Sequence, residues 1–476
     1  MHNKIMFLNP PLSMVDLYKE LAGAGNELPP LGISILAAIT RDHGYETIIL
    51  DAMALKLSID QAVEKILKLR PKYLGVTSTT IGIFSAAEVV RRVKEKNKEI
   101  ISILGGPHLT AVPEETMRRF PEFDIAVIGE AEETVIDLLE CLENYKTIDE
   151  VKGLLIRRGN SLKITEPRQS IENLDTIPLP AWDLLPDLLK FYQPPADSLY
   201  RYPSTLLITS RGCPGQCIFC DRSVFGNRVR GYSAEYVIKA IEFLQKNYGI
   251  KDLFIEDDNF LVLRQRLKDI CQTIINKKID ISFSVMGRVD MVNEEILDLL
   301  KKAGCWQINY GLESGSQKIL DILHKNITIK QSLEALKLTK KAGIRTKGLF
   351  MMGCFGETKE TIRETINFIK KAPLDDFHIT CFTPLPGAQS YNMAKNYGYF
   401  DPDWKKVSMF GADNFVPNGF TKEEIERYYR KAWRAFYLKP RVIWYFAKKL
   451  RKKELRSKII RGAMSFLKFN IKNSVK

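Results

Sequence analysis

The chain has 476 residues, is 45% hydrophobic and carries 71 Lys/Arg against 57 Asp/Glu, a net charge of +14. The length suits two or three domains and the apolar share is ordinary for a globular core. No run of 18 apolar residues occurs and the start Met-His-Asn-Lys-Ile-Met-Phe-Leu-Asn-Pro-Pro has no long apolar stretch, so neither a transmembrane helix nor a signal peptide is expected.

Residues 1–145 alternate short apolar runs with helical patterns. The runs at 5–8, 46–50, 73–76, 100–104 and 125–128 predict strands, and 59–69 and 86–96 predict helices between them. This alternation predicts an α/β unit: a five-stranded, doubly wound parallel sheet of flavodoxin type. Ligands on such sheets bind at the carboxyl ends of the strands. Those ends are Asn9-Pro10-Pro11, Asp51-Ala52, Thr77-Ser78-Thr79-Thr80, Gly105-Gly106-Pro107-His108 and Gly129-Glu130. Small, hydroxylated and glycine-rich loops admit close backbone approach to a phosphate or a flat ring system. An empty structural module is the alternative.

Residues 146–200 read as a linker, because Pro167, Pro178, Pro180, Pro186, Pro194 and Pro195 break long elements. Residues 201–395 alternate again. Strands are expected at 205–209, 252–256, 281–285, 307–310, 346–351 and 377–380, with helices at 234–247, 264–277, 294–302, 330–342 and 359–371. Six βα repeats predict a barrel-like parallel sheet, complete or partial, with its active site at the strand ends. Those ends carry a cysteine loop, Glu256-Asp257-Asp258-Asn259, Arg288, Glu313-Ser314-Gly315, and Gly353 to Glu357.

The cysteine loop, Ser210-Arg211-Gly212-Cys213-Pro214-Gly215-Gln216-Cys217-Ile218-Phe219-Cys220, is the most specific feature. A structural zinc site would want a fourth ligand, usually from a second pair, and none exists. The other cysteines, Cys141, Cys271, Cys305, Cys354 and Cys381, are isolated. A disulfide framework does not suit a chain of this length without a signal peptide. Three thiolates on one short loop can hold three irons of a [4Fe–4S] cluster and leave the fourth open to a small chelating ligand. Such a cluster suits a reducing setting, so a cytoplasmic location is expected.

Residues 396–476 predict a helical, basic region. From 421 to 476 there are 18 Lys/Arg against 4 Asp/Glu, which leaves 53 against 53 in the rest. The tail therefore holds the whole excess, and an anionic partner is expected for it. Aromatic and aliphatic residues interleave with Lys/Arg at helical spacing in Tyr428-Tyr429-Arg430-Lys431-Ala432-Trp433-Arg434-Ala435-Phe436-Tyr437 and beyond. That pattern suits a peripheral element on the inner face of a membrane. A solvated helix packed on the barrel is an equal reading, and nucleic acid a minor one.

With these motifs the sequence resembles the radical SAM superfamily, in the group with an N-terminal cobalamin-binding domain that includes methyltransferases and the anaerobic porphyrin-ester cyclase. The resemblance covers residues 1 to about 390. It implies that Cys213, Cys217 and Cys220 ligate the cluster, with Phe219 beside them. It places Glu256 and Asp257 near the amino group of S-adenosylmethionine and counts Arg288 among the cofactor-binding residues. It places Glu313 and Ser314 near the ribose, and Gly353 and Gly356 near the adenine. Pro384-Leu385-Pro386-Gly387 resembles the barrel-closing segment. Thr77, Ser78, Thr79, Gly105, Gly106, Gly129 and Glu130 are implied to hold cobalamin. His108 is read as a satisfied loop histidine.

The D-x-H-x-x-G motif, whose histidine binds cobalt in many cobalamin proteins, is absent, so cobalamin without a protein imidazole on cobalt is expected. The implied activity is reductive cleavage of S-adenosylmethionine to a 5′-deoxyadenosyl radical, followed by methylation of an unactivated carbon of a small or lipid-like molecule. Oxidative cyclisation or ring rearrangement of a porphyrin, isoprenoid or hopanoid is the alternative. A non-catalytic cobalamin-binding protein is the alternative of another class. A flavodoxin- or ferredoxin-type electron donor is implied. A tRNA methylthiotransferase does not fit, because residues 1–200 hold only Cys141 and cannot bind a second cluster.

Overall fold

Short apolar runs separated by amphipathic helices set the architecture, and strand order follows from how those runs repeat. The computed structural model describes residues 3–25, 27–192, 194, 199–451 and 453–471. Pro195 of the expected linker and residues 472–476 of the expected tail lie outside them. The chain gathers into two units: residues up to 13, 29–192 and 221–230 in one, and 14–28, 194–220 and from 231 onward in the other.

The first unit is built on a seven-stranded sheet. Its strands are β1 (Lys4–Asn9), β2 (Glu46–Asp51), β3 (Tyr73–Thr77), β4 (Ile101–Gly105), β5 (Ile125–Val127), β6 (Leu154–Arg158) and β7 (Ser161–Ile164), in the order β2-β1-β3-β4-β5-β6-β7. The first five are parallel and are the strands expected. Their order reverses between β1 and β3, the point where doubly wound sheets open a crevice. Ile5, Met6, Leu8, Leu74 and Leu104 are fully buried, as both faces of a helix-covered sheet require.

The sheet is wider than expected. β6 and β7 form an antiparallel hairpin on its edge, inside the stretch read as a linker. The prolines that suggested a linker all follow this hairpin. Leu154, Leu155 and Ile156 are buried against the sheet, whereas β7 alternates weakly and is mostly exposed, which hid it. The unit thus runs past residue 145.

The second unit holds a six-stranded parallel sheet. After β8 (Ser204–Leu207) come two short pieces, β9 (Ser210–Arg211) and β10 (Arg230–Gly231). Then follow β11 (Asp252–Ile255), β12 (Ser282–Gly287), β13 (Cys305–Glu313), β14 (Arg345–Met352) and β15 (Asp376–Cys381). The order is β15-β14-β13-β12-β11-β8, so each strand adds beside the one before it and the first and last do not pair. The sheet is therefore a partial barrel. Helices at Ala234–Tyr248, Arg264–Asn276, Glu294–Lys302, Ile329–Lys341 and Lys359–Lys371 connect its strands. Their starts are fixed locally: Ser233, Asn293, Thr328 and Thr358 side chains each accept a bond from a first-turn N–H.

Beyond the barrel, the helix Lys422–Tyr437 starts at a Thr421/Glu424 capping box. It buries Ile425, Tyr429, Ala432, Trp433 and Phe436, a stripe at helical spacing. Tyr429 Oη donates to Ile379 O at 3.1 Å and Tyr437 Oη to Phe377 O at 3.0 Å, so this helix is pinned to β15. The helix Lys453–Ile471 packs on the turn at 19–24, where a side chain at Gly23 would meet Ser465 Oγ. Among the described residues no helix is long and apolar enough to cross a membrane.

Candidate active site

The cysteine loop leaves the carboxyl end of β8 and is anchored at its root by Asp257. This carboxylate is fully buried at the end of β11 and accepts from Thr209 Oγ1 and Ser210 Oγ, both at 2.6 Å, and from both backbone N–H groups. Asp257 was expected at the cofactor. Its oxygens accept from Thr209 and Ser210, so it positions the root of the loop.

Past this root the loop turns over Gly215. A methyl group placed there would lie 3.4 Å from Cys213 Sγ, 3.7 Å from Arg288 Nη1 and 3.9 Å from Cys217 Sγ. Two thiols and a guanidinium thus lie around one point of the loop, each at ordinary contact distance from it. The Cys217 and Cys220 thiols interact directly; this contact, with Lys325 and Arg288 nearby, holds Cys217 below the usual thiol range, while Cys220 is pushed up. Ile218 ties the loop down, with its N–H donating to Leu323 O at 3.2 Å and its carbonyl accepting from Ser390 N at 2.8 Å.

Arg288, after β12, donates to Asp290 from Nε and Nη2 at 3.0 Å and to Lys325 O at 3.0 Å. Lys325 Nζ in turn lies 2.7 Å from Glu313 Oε1, with both side chains almost wholly buried. Burial alone would depress the Lys325 amine, but the Glu313 carboxylate and Cys217 outweigh it, and its pKa is raised. Lys325 Nζ also lies 5.9 Å from the Phe219 ring centroid. Three non-glycine residues here take left-handed backbone: Glu313 (φ 59°), His324 (φ 52°) and Asn326 (φ 52°). Such strain persists only where surroundings over-determine it, and it clusters at functional sites.

Lys325 was not singled out from the sequence. It stands in no motif and is one of 71 basic residues; only its burial against Glu313 marks it. Glu256 is reachable by solvent, yet desolvation raises its carboxyl to about 7. Ser314 serves a turn, with Oγ 2.9 Å from Thr365 Oγ1 and accepting from Ser316 N. Gly353 and Gly356 both take positive φ in a loop closed by Glu357, which accepts from Gly353 N at 3.0 Å and Cys354 N at 3.2 Å. Cys354 is fully buried, its thiol pushed well up, and behaves as a small apolar residue.

In the first unit the ends of β3 and β4 are laced together. Ser78 N donates to Gly105 O at 3.1 Å and His108 N to Ser78 O at 3.2 Å. Gly106 has φ 100°, and a side chain there would lie 2.8 Å from Ser78 N, Ser78 O and Thr77 Oγ1. Thr79 Oγ1 accepts from Gly82 N, and Gly129 N donates to Thr110 Oγ1. Glu130, expected at cobalamin, is buried and bound to Arg230 through both carboxylate oxygens at 2.7 and 2.9 Å, with Ile171 N at 2.8 Å. It clamps the segment that follows the cysteine loop.

These arrangements suit the implied groups. Three thiols from one loop, beside two buried cations and without a fourth cysteine, suit a cluster of four irons with one left for another ligand. Among the described residues no three His, Cys, Asp or Glu side chains close on a single ion. Gly106 lets the β4 loop close on Ser78, where a Cβ would lie at 2.8 Å, and Gly105, with nothing within 4 Å of its Cβ position, leaves open space at the strand ends that suits the close approach of a flat or phosphate-bearing group.

A half-barrel with a three-cysteine loop at its strand ends, preceded by a doubly wound sheet, defines a cluster-based radical enzyme with a second cofactor domain. Residues 207–369 match the radical SAM superfamily and residues 21–139 the B12 binding domain. The chain is 35% identical to an uncharacterized methyltransferase of Pyrococcus horikoshii, over 92% of this chain and 94% of that protein. It is 30% identical to the anaerobic magnesium-protoporphyrin IX monomethyl ester cyclase of Rubrivivax gelatinosus, over 76% of this chain and 65% of the cyclase. Its fold is similar to that of the cobalamin-dependent radical enzyme OxsB, with a TM-score of 0.74 and 19% identity over 98% of this chain and 72% of OxsB. It is also similar to TsrM from Kitasatospora setae, with a TM-score of 0.66 and 18% identity over 83% of this chain and 75% of TsrM. The chain therefore belongs to the radical SAM superfamily, in the group that carries a B12-binding domain. It is an enzyme whose cofactors are a [4Fe–4S] cluster, S-adenosylmethionine and cobalamin.

Proposed function

We propose that the enzyme transfers a methyl group to an unactivated carbon of a small molecule. The observation that carries this reading is the triad Cys213, Cys217 and Cys220 beside Arg288 and the Lys325–Glu313 pair, in a chain that also bears a B12-binding domain. When bound, the three cofactors supply the electron, the adenosyl radical and the methyl group. The protein's own work is positioning. Glu256 accepts from the ammonium of S-adenosylmethionine, and Lys325 and Arg288 supply positive charge for its carboxylate. Glu313 orients Lys325 and borders the ribose, and the Gly353–Gly356 loop borders the adenine. Thr77, Ser78, Thr79, Gly105, Gly106 and Gly129 line the cobalamin cradle. A flavodoxin- or ferredoxin-type donor supplies electrons, and a lipid-like substrate is the class we favour. The domain plan we propose extends the cobalamin unit of 1–145 through the β6–β7 hairpin towards residue 192, with a cofactor barrel at 201–395 and a basic helical region at 396–476.

The test is anaerobic turnover of the reconstituted enzyme with S-adenosylmethionine, cobalamin, a chemical reductant and a small-molecule and lipid extract as the source of acceptor. Equal amounts of 5′-deoxyadenosine and S-adenosylhomocysteine support methylation. The similarity to cyclases favours a second reading, radical cyclisation, for which 5′-deoxyadenosine forms without S-adenosylhomocysteine. Neither product would refute both.

A further inference from the structure

The C-terminal helices carry more apolar surface than their packing uses. In Pro440–Lys449 the inward face holds Val442, with Phe446 6.1 Å from the Tyr437 ring, yet Ile443 and Trp444 face outward, each more than half exposed. In Lys453–Ile471 the inward face holds Ser465 and Phe469, yet Ile460, Met464 and Leu467 form a second stripe at i, i+4 and i+7, again more than half exposed. Each helix is thus apolar on two faces, one buried and one uncovered.

Positive charge accompanies these stripes. Lys448 Nζ sits 3.4 Å from the centroid of the Trp444 ring. On the preceding helix Arg427, Lys431 and Arg434 recur at i, i+4 and i+7, one exposed face that leads on to exposed Leu438. With Lys370, Tyr428 and Ala435 they line an open groove of about 620 Å³. Glu424 Oε1 lies 3.8 Å from Arg427 Nη2.

We propose that this region docks the enzyme on an anionic phospholipid surface, with the groove taking a headgroup phosphate and the two stripes entering the interface. Charge selects this occupant. A second copy would bring the same cationic face of Arg427, Lys431 and Arg434 and be repelled. Nucleic acid would meet the cations and could stack a base on Trp444, but Ile443, Ile460, Met464 and Leu467 are aliphatic and would stay uncovered. A lipid interface satisfies both halves at once: aliphatic side chains in the acyl boundary, Trp444 at headgroup level, and Lys/Arg at the phosphates. The docking does not depend on which reaction the enzyme performs.

The reconstituted full chain is tested by flotation with vesicles of phosphatidylglycerol and phosphatidylcholine, and with phosphatidylcholine alone. Wild type is expected to float with the anionic vesicles only, and less so at high salt. The triple variant Arg427→Gln, Lys431→Gln, Arg434→Gln should weaken binding about a hundredfold. The pair Ile443→Ser, Trp444→Ser should weaken it through the other half of the surface. Both variants are expected to keep wild-type cluster absorbance and 5′-deoxyadenosine release. Three results would each overturn the proposal: no flotation of wild type, undiminished flotation of both variants, or tighter binding to a duplex oligonucleotide than to anionic vesicles. A wild-type dimer that Trp444→Ser dissolves in sedimentation velocity would also overturn it.

Discussion

Lys325 Nζ and Glu313 Oε1 meet at 2.7 Å in the interior, and a methyl group at Gly311 would lie within 2.8 Å of both atoms. The pair therefore needs both its partners and the bare backbone beside it. Breaking a buried pair leaves one charge uncompensated and costs about 3–5 kcal/mol. Lys325→Met and Glu313→Gln are each expected to lower stability by that order in chemical denaturation, and the double variant by much less than the sum. Gly311→Ala should act in the same direction with no change of charge. If each single variant keeps wild-type stability, the pair is not the buried structural unit described here.

Asp257 makes a different prediction, because it binds the root of the cysteine loop. Asp257→Asn removes an acceptor shared by Thr209 and Ser210. Leaving buried donors unmet costs about 1–3 kcal/mol each. Iron content after reconstitution should fall several-fold, while cobalamin retention stays at the wild-type level. Unchanged iron would show that the loop holds its shape without this clamp. By contrast, Cys213→Ala, Cys217→Ala and Cys220→Ala should each remove the broad iron–sulfur absorbance together with S-adenosylmethionine cleavage.

The strands were legible because their apolar runs are short, buried on both faces and regularly spaced. The cysteine loop was legible because its chemistry depends on spacing along a single segment. What escaped was everything that depends on pairing across the fold. Glu130 and Asp257 looked like ligand contacts because they are acidic strand ends; the partners that claim them, Arg230 and Thr209, lie 100 and 48 residues away in sequence. Lys325 was invisible for the same reason. The hairpin β6–β7 was lost because an edge strand need not bury a full face, so Ser161–Ile164 shows little apolar signal.

Glu256 supplies a pH prediction. Its carboxyl is raised from 4.5 to about 7 by desolvation although solvent still reaches it, so screening reduces the effect on stability. The folded chain holds this proton more tightly than the unfolded chain. The resulting destabilisation develops as pH rises from the ordinary carboxylate range towards 7 and is complete above it. Binding has the opposite trend, because only the carboxylate attracts an ammonium group. S-Adenosylmethionine affinity of the reconstituted enzyme, read by equilibrium dialysis, should therefore weaken as pH falls from 8 to 6. Glu256→Gln should bind weakly throughout and flatten the profile. A profile of unchanged slope in that variant would remove Glu256 from the site.

His108 is the imidazole nearest the cobalamin cradle by sequence, and its surroundings decide whether it can serve as a ligand. Burial first, and Arg119 second, lower its pKa to about 4, so the ring is neutral at physiological pH. Nδ1 lies 3.1 Å from Thr80 Oγ1 and Nε2 3.3 Å from Thr116 Oγ1. Thr116 Oγ1 donates to Val112 O at 2.6 Å, which leaves it to accept from His108. The proton is thereby assigned to Nε2, and the Nδ1 lone pair accepts from Thr80. Neither nitrogen has a lone pair to spare for a metal. The Co(II) form of the cobalamin-loaded enzyme should accordingly show no protein-nitrogen splitting in its electron paramagnetic resonance spectrum. His108→Gln should leave that spectrum unchanged while costing about 1–3 kcal/mol of stability, the worth of buried groups left unpaired. A nitrogen splitting that disappears in His108→Gln would make the histidine a ligand and require the β4 loop to rearrange when cobalamin binds.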